Sequence, residues 1–249
     1  MHQMTFQRVC AWCGIACPLL FFGAFVAAHF IPPISPHLPA EQVAAFYRAH
    51  STGIKIGGCI MLLAGMVYAA FTGVISAQMR RVPGVHPSAI YVQLAAGAFA
   101  CLTFLVPAML FVVAAFRPGR SPEATQTLND MCWILLVMPW PPFMAQNYAF
   151  AYVIFTDHRP RPLFPRWLGY VNIWAPIIFS PSLLLPFFKV GPFDWRGMFV
   201  FWIPAVVFVL QFIANTSMVL RAISDEESEL LAATASPGPE PLRTVALAP

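Results

Sequence analysis

Charge is what this sequence has least of. Lys, Arg, Asp and Glu together make up 10% of its 249 residues, against roughly 25% in an ordinary soluble domain. A water-facing globule of this length needs more ionised surface, so a soluble enzyme domain is excluded. With 59% hydrophobic residues, a disordered chain and a nucleic-acid binder are excluded too. Chemistry-bearing patterns are equally sparse. The chain has no HExxH, no GxSxG, no Walker loop and no GxGxxG. Its histidines, His2, His29, His37, His50, His86 and His158, never fall at helical i,i+3 or i,i+4 spacing, which argues against a haem, copper or di-iron site. On this reading the protein is not an enzyme and uses neither metal nor cofactor.

What is present is apolar length. The mean hydropathy is +0.71. Residues 9–40, 56–79, 82–116, 131–156, 167–188 and 197–220 contain no Lys, Arg, Asp or Glu. A helix crossing ~30 Å of hydrocarbon at 1.5 Å per residue needs about 20 such residues. Each block holds one crossing. Six transmembrane helices follow, over 9–31, 52–77, 89–116, 131–155, 168–188 and 198–220, in an all-α polytopic bundle. Runs such as Ile60-Met61-Leu62-Leu63 do not alternate, which excludes a membrane β-barrel. The first apolar run is longer than the core of a signal peptide and reads as an uncleaved helix.

Orientation follows the basic residues of the loops. One side carries Arg8, Arg80, Arg81, Arg159, Arg161, Arg166, Arg221 and Arg243; the other carries Arg48, Lys55, Arg117, Arg120, Lys189 and Arg196. The richer side is the inner one, with both termini in the cytoplasm. Residues 1–222 form the membrane domain, and 223–249, with its acidic cluster and prolines, reads as a disordered cytoplasmic tail. Between the first two spans, 39–47 reads as a short interfacial helix opened by Pro39.

There are 25 prolines, about twice the usual share. Met138-Pro139-Trp140-Pro141-Pro142 stands near the middle of the fourth span. It breaks that helix, because each proline removes a hydrogen bond and collides with the preceding turn. Such a break is tolerated where freed carbonyls face protein, water or a ligand. It marks either a cavity beside the fourth helix or simple kinking. Gly23 with Ala27, Ala96 with Ala100 and Gly97 with Cys101 have the spacing of close helix contacts. Cys10, Cys13 and Cys17 share one helix face and read as small apolar packing rather than a soft-metal site.

The interior polar residues are carboxamides: Gln93, Gln146, Asn147, Asn172, Gln211 and Asn215, on four helices and in one half of the bilayer. They form either interhelical hydrogen bonds or a site for a neutral hydrogen-bonding ligand. No Asp or Glu lies within a span, which disfavours ion-coupled transport. At the outer face stand Lys55, Asp130, Lys189 and Arg196. Asp130 reads as the N-cap of the fourth span, and Lys189 and Arg196 as helix anchors or an attraction for an anionic group.

Three stretches carry a resemblance. They are Ala114-Ala115-Phe116-Arg117-Pro118 with Leu128-Asn129-Asp130, then Phe164-Pro165-Arg166-Trp167-Leu168-Gly169-Tyr170, then Phe187-Phe188-Lys189-Val190-Gly191-Pro192-Phe193. Together they resemble uncharacterised bacterial multi-pass membrane proteins of actinobacteria and proteobacteria. The likeness covers most of the chain except the tail. It implies a six-helix inner-membrane topology and no particular activity. Two functions stand open: binding or carrying a neutral or amphipathic small molecule, or serving as a non-catalytic membrane subunit or scaffold for a protein partner. The bilayer is the one partner common to both.

Overall fold

The computed structural model describes residues 2–235, and all their regular structure is helical. The helices are α1 (His2–Ala27), α2 (Ala40–Ala49), α3 (Ser51–Met79), α4 (Pro87–Ala100), α5 (Leu102–Phe116), α6 (Pro122–Val137), α7 (Pro141–Thr156), α8 (Arg166–Ile178) and α9 (Ile203–Ala235). A 3-10 segment, Ser180–Phe187, follows α8, and a π-helical turn, Met198–Trp202, leads into α9.

Five helical stretches are long and apolar enough to cross a membrane: Met4–Ala27, Ser51–Met79, Pro87–Phe116, Arg166–Phe187 and Met198–Thr234. The third is α4 and α5 joined through Cys101, whose backbone stays helical. The fourth span of the sequence reading is instead two helices of 16 residues each, α6 and α7, separated at Met138-Pro139-Trp140. Pro139, Pro141 and Pro142 have no N–H to offer the carbonyls of Leu135, Val137 and Met138. The Trp140 amide turns back to the Met138 carbonyl at 2.8 Å instead.

The packing is inverted relative to a water-soluble bundle. Phe6, Trp12, Leu19, Met66, Phe99 and Leu210 are exposed, whereas Gln93, Asn172, Gln211 and Thr72 are buried. A continuous apolar exterior of this kind marks a membrane-embedded protein. Packing is tightest between α1 and α3. A Cβ placed on Gly57 would sit 2.5 Å from the Ala24 carbonyl oxygen, and one on Gly53 would collide with the Ala27 carbonyl. Two glycines one turn apart thus let these backbones touch. By contrast, Gly23 faces open space.

Two boundaries differ from the sequence reading. Asp130 is not an N-cap: α6 begins at Pro122, where the Ser121 hydroxyl accepts from the Ala124 amide at 3.3 Å. Asp130 lies well inside that helix. The chain beyond 222 continues as α9 to Ala235, tied by Arg8 to Glu227 at 2.6 Å and by Arg81 to Glu229 at 2.8 Å. The remainder of the expected tail, 236–249, lies outside the described residues.

Candidate functional site

Four of the six expected carboxamides meet. Asn172 of α8 donates to the Asn215 Oδ1 at 2.9 Å and to the Leu168 carbonyl at 2.8 Å. Its own oxygen accepts from Asn215 and from Gln211, both at 3.1 Å. Gln211 also donates to Asn147 of α7, whose Nδ2 returns to the Phe143 carbonyl at 2.6 Å. Gln211 and Asn215, one turn apart on α9, therefore clamp α7 and α8 together.

The other two turn to α3. Tyr68 donates to the Gln146 Oε1, and Gln146 donates to Thr72 at 3.0 Å. Ser76 donates to the Gln93 Oε1. Sequence reasoning missed these hydroxyls because Tyr68, Thr72 and Ser76 sit in the most apolar surroundings. Their common helix face, at spacing of four, was the available signal. Gly97 on α4 leaves room here: a Cβ would strike Thr72 and approach the Gln146 amide. Between the two groups lies a cavity of about 20 Å³ that Gln93, Gln146, Asn147, Gln211 and Asn215 help to line. The polar residues thus form a nearly solid interhelical seam rather than an open site.

A second cavity, about 150 Å³, lies against this seam and shares Tyr68 and Phe143 with it. Three helix interruptions converge on its wall. Val137, Pro139 and Trp140 come from the α6–α7 break; Phe179 and Ser182 from the end of α8 and the 3-10 segment; Val200, Phe201 and Pro204 from the π turn. Pro204 offers no N–H to the Val200 carbonyl, and the turn widens, with the Ile203 amide reaching back five residues to Met198. Phe21, Phe22 and Phe25 of α1 complete an aromatic lining. Phe22, Thr103, Phe179 and Pro204 are only partly buried, so the chamber reaches the bundle's lateral surface. It lies in the half of the spans away from the arginine-rich end. At the end away from the arginines, Phe25 of its lining packs edge-on against Trp133, which stacks on Trp195 at 6.2 Å, with the Trp195 indole donating to the Ile34 carbonyl at 2.7 Å.

Lys55, Asp130, Lys189 and Arg196 do not assemble into a site. Lys55 and Asp130 are partly buried, and Lys189 and Arg196 are exposed. Lys189 lies near enough to Asp130 to act on its carboxylate. Arg196 engages through its backbone amide, which donates to Asp194 at 2.8 Å. The structure does bring together His29 and His50, edge to face with centroids 4.3 Å apart. They share no helix, so spacing could not reveal them.

At the opposite end, Asp157 is buried and accepts from Arg159 at 2.8 and 2.6 Å and from the Leu163 amide at 2.8 Å. The Arg159 guanidinium, with these amides, pulls its carboxyl down to about 2 against the opposing effect of burial.

Fold and cavities together define a helical, membrane-embedded protein with an apolar chamber built where its helices break. Compared with protein-family models, curated proteins and solved structures, the chain matches none of them.

Proposed function

We propose that this is a bacterial inner-membrane protein that binds or carries a neutral or amphipathic small molecule in the chamber between the three helix breaks. In this reading α6 and α7 form a sixth, interrupted crossing, and both termini lie in the cytoplasm, on the side of Arg81, Arg159 and Arg221. The bacterial setting rests on the resemblance of the loop motifs and on the arginine distribution. The carrying observation is the convergence of three interruptions on one cavity. Each costs backbone hydrogen bonds in a medium that cannot replace them, and each leaves its residues on the same wall. Ligand sites between broken helices use this arrangement. The seam of carboxamides supports the chamber from below and holds α7, α8 and α9 in register.

Filling the chamber tests this. Ala205 lines it and is partly buried, so Ala205→Phe occupies the space with a ring while leaving the seam intact. Mass spectrometry of small molecules co-purified in mild detergent should find a species with the parent protein that is lost from the variant, with the melting temperature unchanged. Equal small-molecule content in both, or none with the parent, refutes the reading.

A further inference from the structure

We infer that a recess at the arginine-rich end holds the headgroup of a glycerophospholipid, gripping its monoanionic phosphodiester with Arg161 and Arg221. This site lies apart from the chamber, and nothing in it depends on the chamber being filled.

Arg159 and Arg161 of the α7–α8 loop, with Arg221, Asp225 and Glu229 of α9, line this recess of about 610 Å³, a volume within the range of small-molecule sites. The loop half of its wall is preset. Pro160 and Pro162 flank Arg161 with fixed φ angles. On either side the chain is pinned to the buried Asp157. Arg159 is held by its amide at 3.2 Å and its guanidinium at 2.8 and 2.6 Å, and Leu163 by its amide at 2.8 Å. Arg161 thus stands on backbone that is already ordered, so little further entropy is lost when it binds.

The arginines of this end divide by what they touch. Arg8 meets Glu227 at 2.6 Å, Arg81 meets Glu229 at 2.8 Å and Arg159 meets Asp157. Arg161 is exposed and makes no hydrogen bond or ion pair among the described residues. Arg221 has Asp225 at 3.9 Å, beyond hydrogen-bond reach. Glu229 is answered by Arg81 and Arg159 by Asp157, so Arg161 and Arg221 face Asp225 with one positive charge in excess. A phosphodiester carries a single negative charge, whereas a phosphate monoester carries closer to two; the diester is the better match. Each guanidinium can present paired N–H groups to two phosphate oxygens.

Depth selects a lipid over a dissolved anion. Arg221 directly follows the uncharged run 197–220, and the loop directly precedes the apolar stretch Arg166–Phe187. The recess therefore opens where two spans leave the hydrocarbon, the level of the phospholipid phosphates. Trp167 and Tyr170, exposed on the first turns of α8, are residue types that settle at that level. Basic pockets between helix ends take lipid headgroups.

Native mass spectrometry of the full-length protein in a neutral detergent tests this, at near-physiological ionic strength to screen looser attraction. Palmitoyl-oleoyl phosphatidylglycerol is titrated against the diacylglycerol with the same chains, which lacks the phosphate. The phospholipid should bind the parent about tenfold more tightly or better, as a charge-assisted hydrogen bond provides. Arg161→Gln and Arg221→Gln should each weaken it about tenfold with the melting temperature unchanged. If Arg221→Gln melts lower, Arg161→Gln, which severs no contact, decides alone. Arg166→Gln, at the same end but outside the recess, should leave binding as it is. Equal affinity for the two lipids overturns the inference, as does phospholipid binding undiminished in both recess variants. An equal loss in Arg166→Gln also overturns it, because the attraction would then be general to this end. Displacement of the phospholipid by inorganic phosphate at matching concentration would give the recess to a dissolved anion and overturn the assignment to lipid.

Discussion

Asn172 uses its full hydrogen-bonding capacity inside the bundle: two donated and two accepted bonds, to three residues of α8 and α9. Leucine at this position leaves Asn215 without its partner and Gln211 with Asn147 alone. Asn172→Leu should therefore destabilise the protein by about 2 kcal/mol, the scale on which stranded polar groups register, measured by chemical denaturation in detergent micelles. A stabilising change would mean that the seam serves something other than helix cohesion. The carboxamides were legible in the sequence as isolated polar letters in apolar runs. Their pairing was not, because it depends on the rotation of α7, α8 and α9 about their axes. The partition into a seam of four and two glutamines facing α3 depends on Tyr68, Thr72 and Ser76, each unremarkable beside its apolar neighbours.

Among the elements, the loop between α7 and α8 is held by a single side chain. Asp157 fixes it through Arg159 and the Leu163 amide, with only 2% of its side chain exposed. Its carboxyl is depressed in the folded state, to about 2, by that arginine first and by the amides next. The stabilisation is thus complete above the ordinary carboxylate range near 4 and drains away as pH falls from about 4 to 2. Asp157→Asn should cost about 2 kcal/mol at neutral pH and flatten the acid limb of the melting temperature between pH 4 and 2. An unchanged acid limb would remove Asp157 from the account. Of the elements themselves, α2 was readable from Pro39 and the apolar residues after it. The end of α9 was not: acidic residues that read as a solvated tail remain helical because Arg8 and Arg81 meet them from α1 and the end of α3. Likewise Gly53 and Gly57 went unmarked, since close approach shows only once α1 lies against them.

For the whole molecule, the chain alternates between two ends, and the arginine-rich one gathers the start of α1, the end of α3, the α7–α8 loop and the last turns of α9. With α6 and α7 counted as one crossing, Arg81→Cys and Arg161→Cys should react with a membrane-impermeant thiol reagent from one side only. Arg117→Cys and Lys189→Cys should react from the other, in each case above the background of the native cysteines. Opposite labelling of Arg81→Cys and Arg161→Cys would break the topology. The chamber's lateral rim has a consequence for supply. On the proposed function, a compound would reach this chamber by diffusing within the hydrocarbon, never having to shed lipid for water on the way. Its partition coefficient, rather than its aqueous solubility, would then govern occupancy, with the bilayer as the reservoir from which the protein draws.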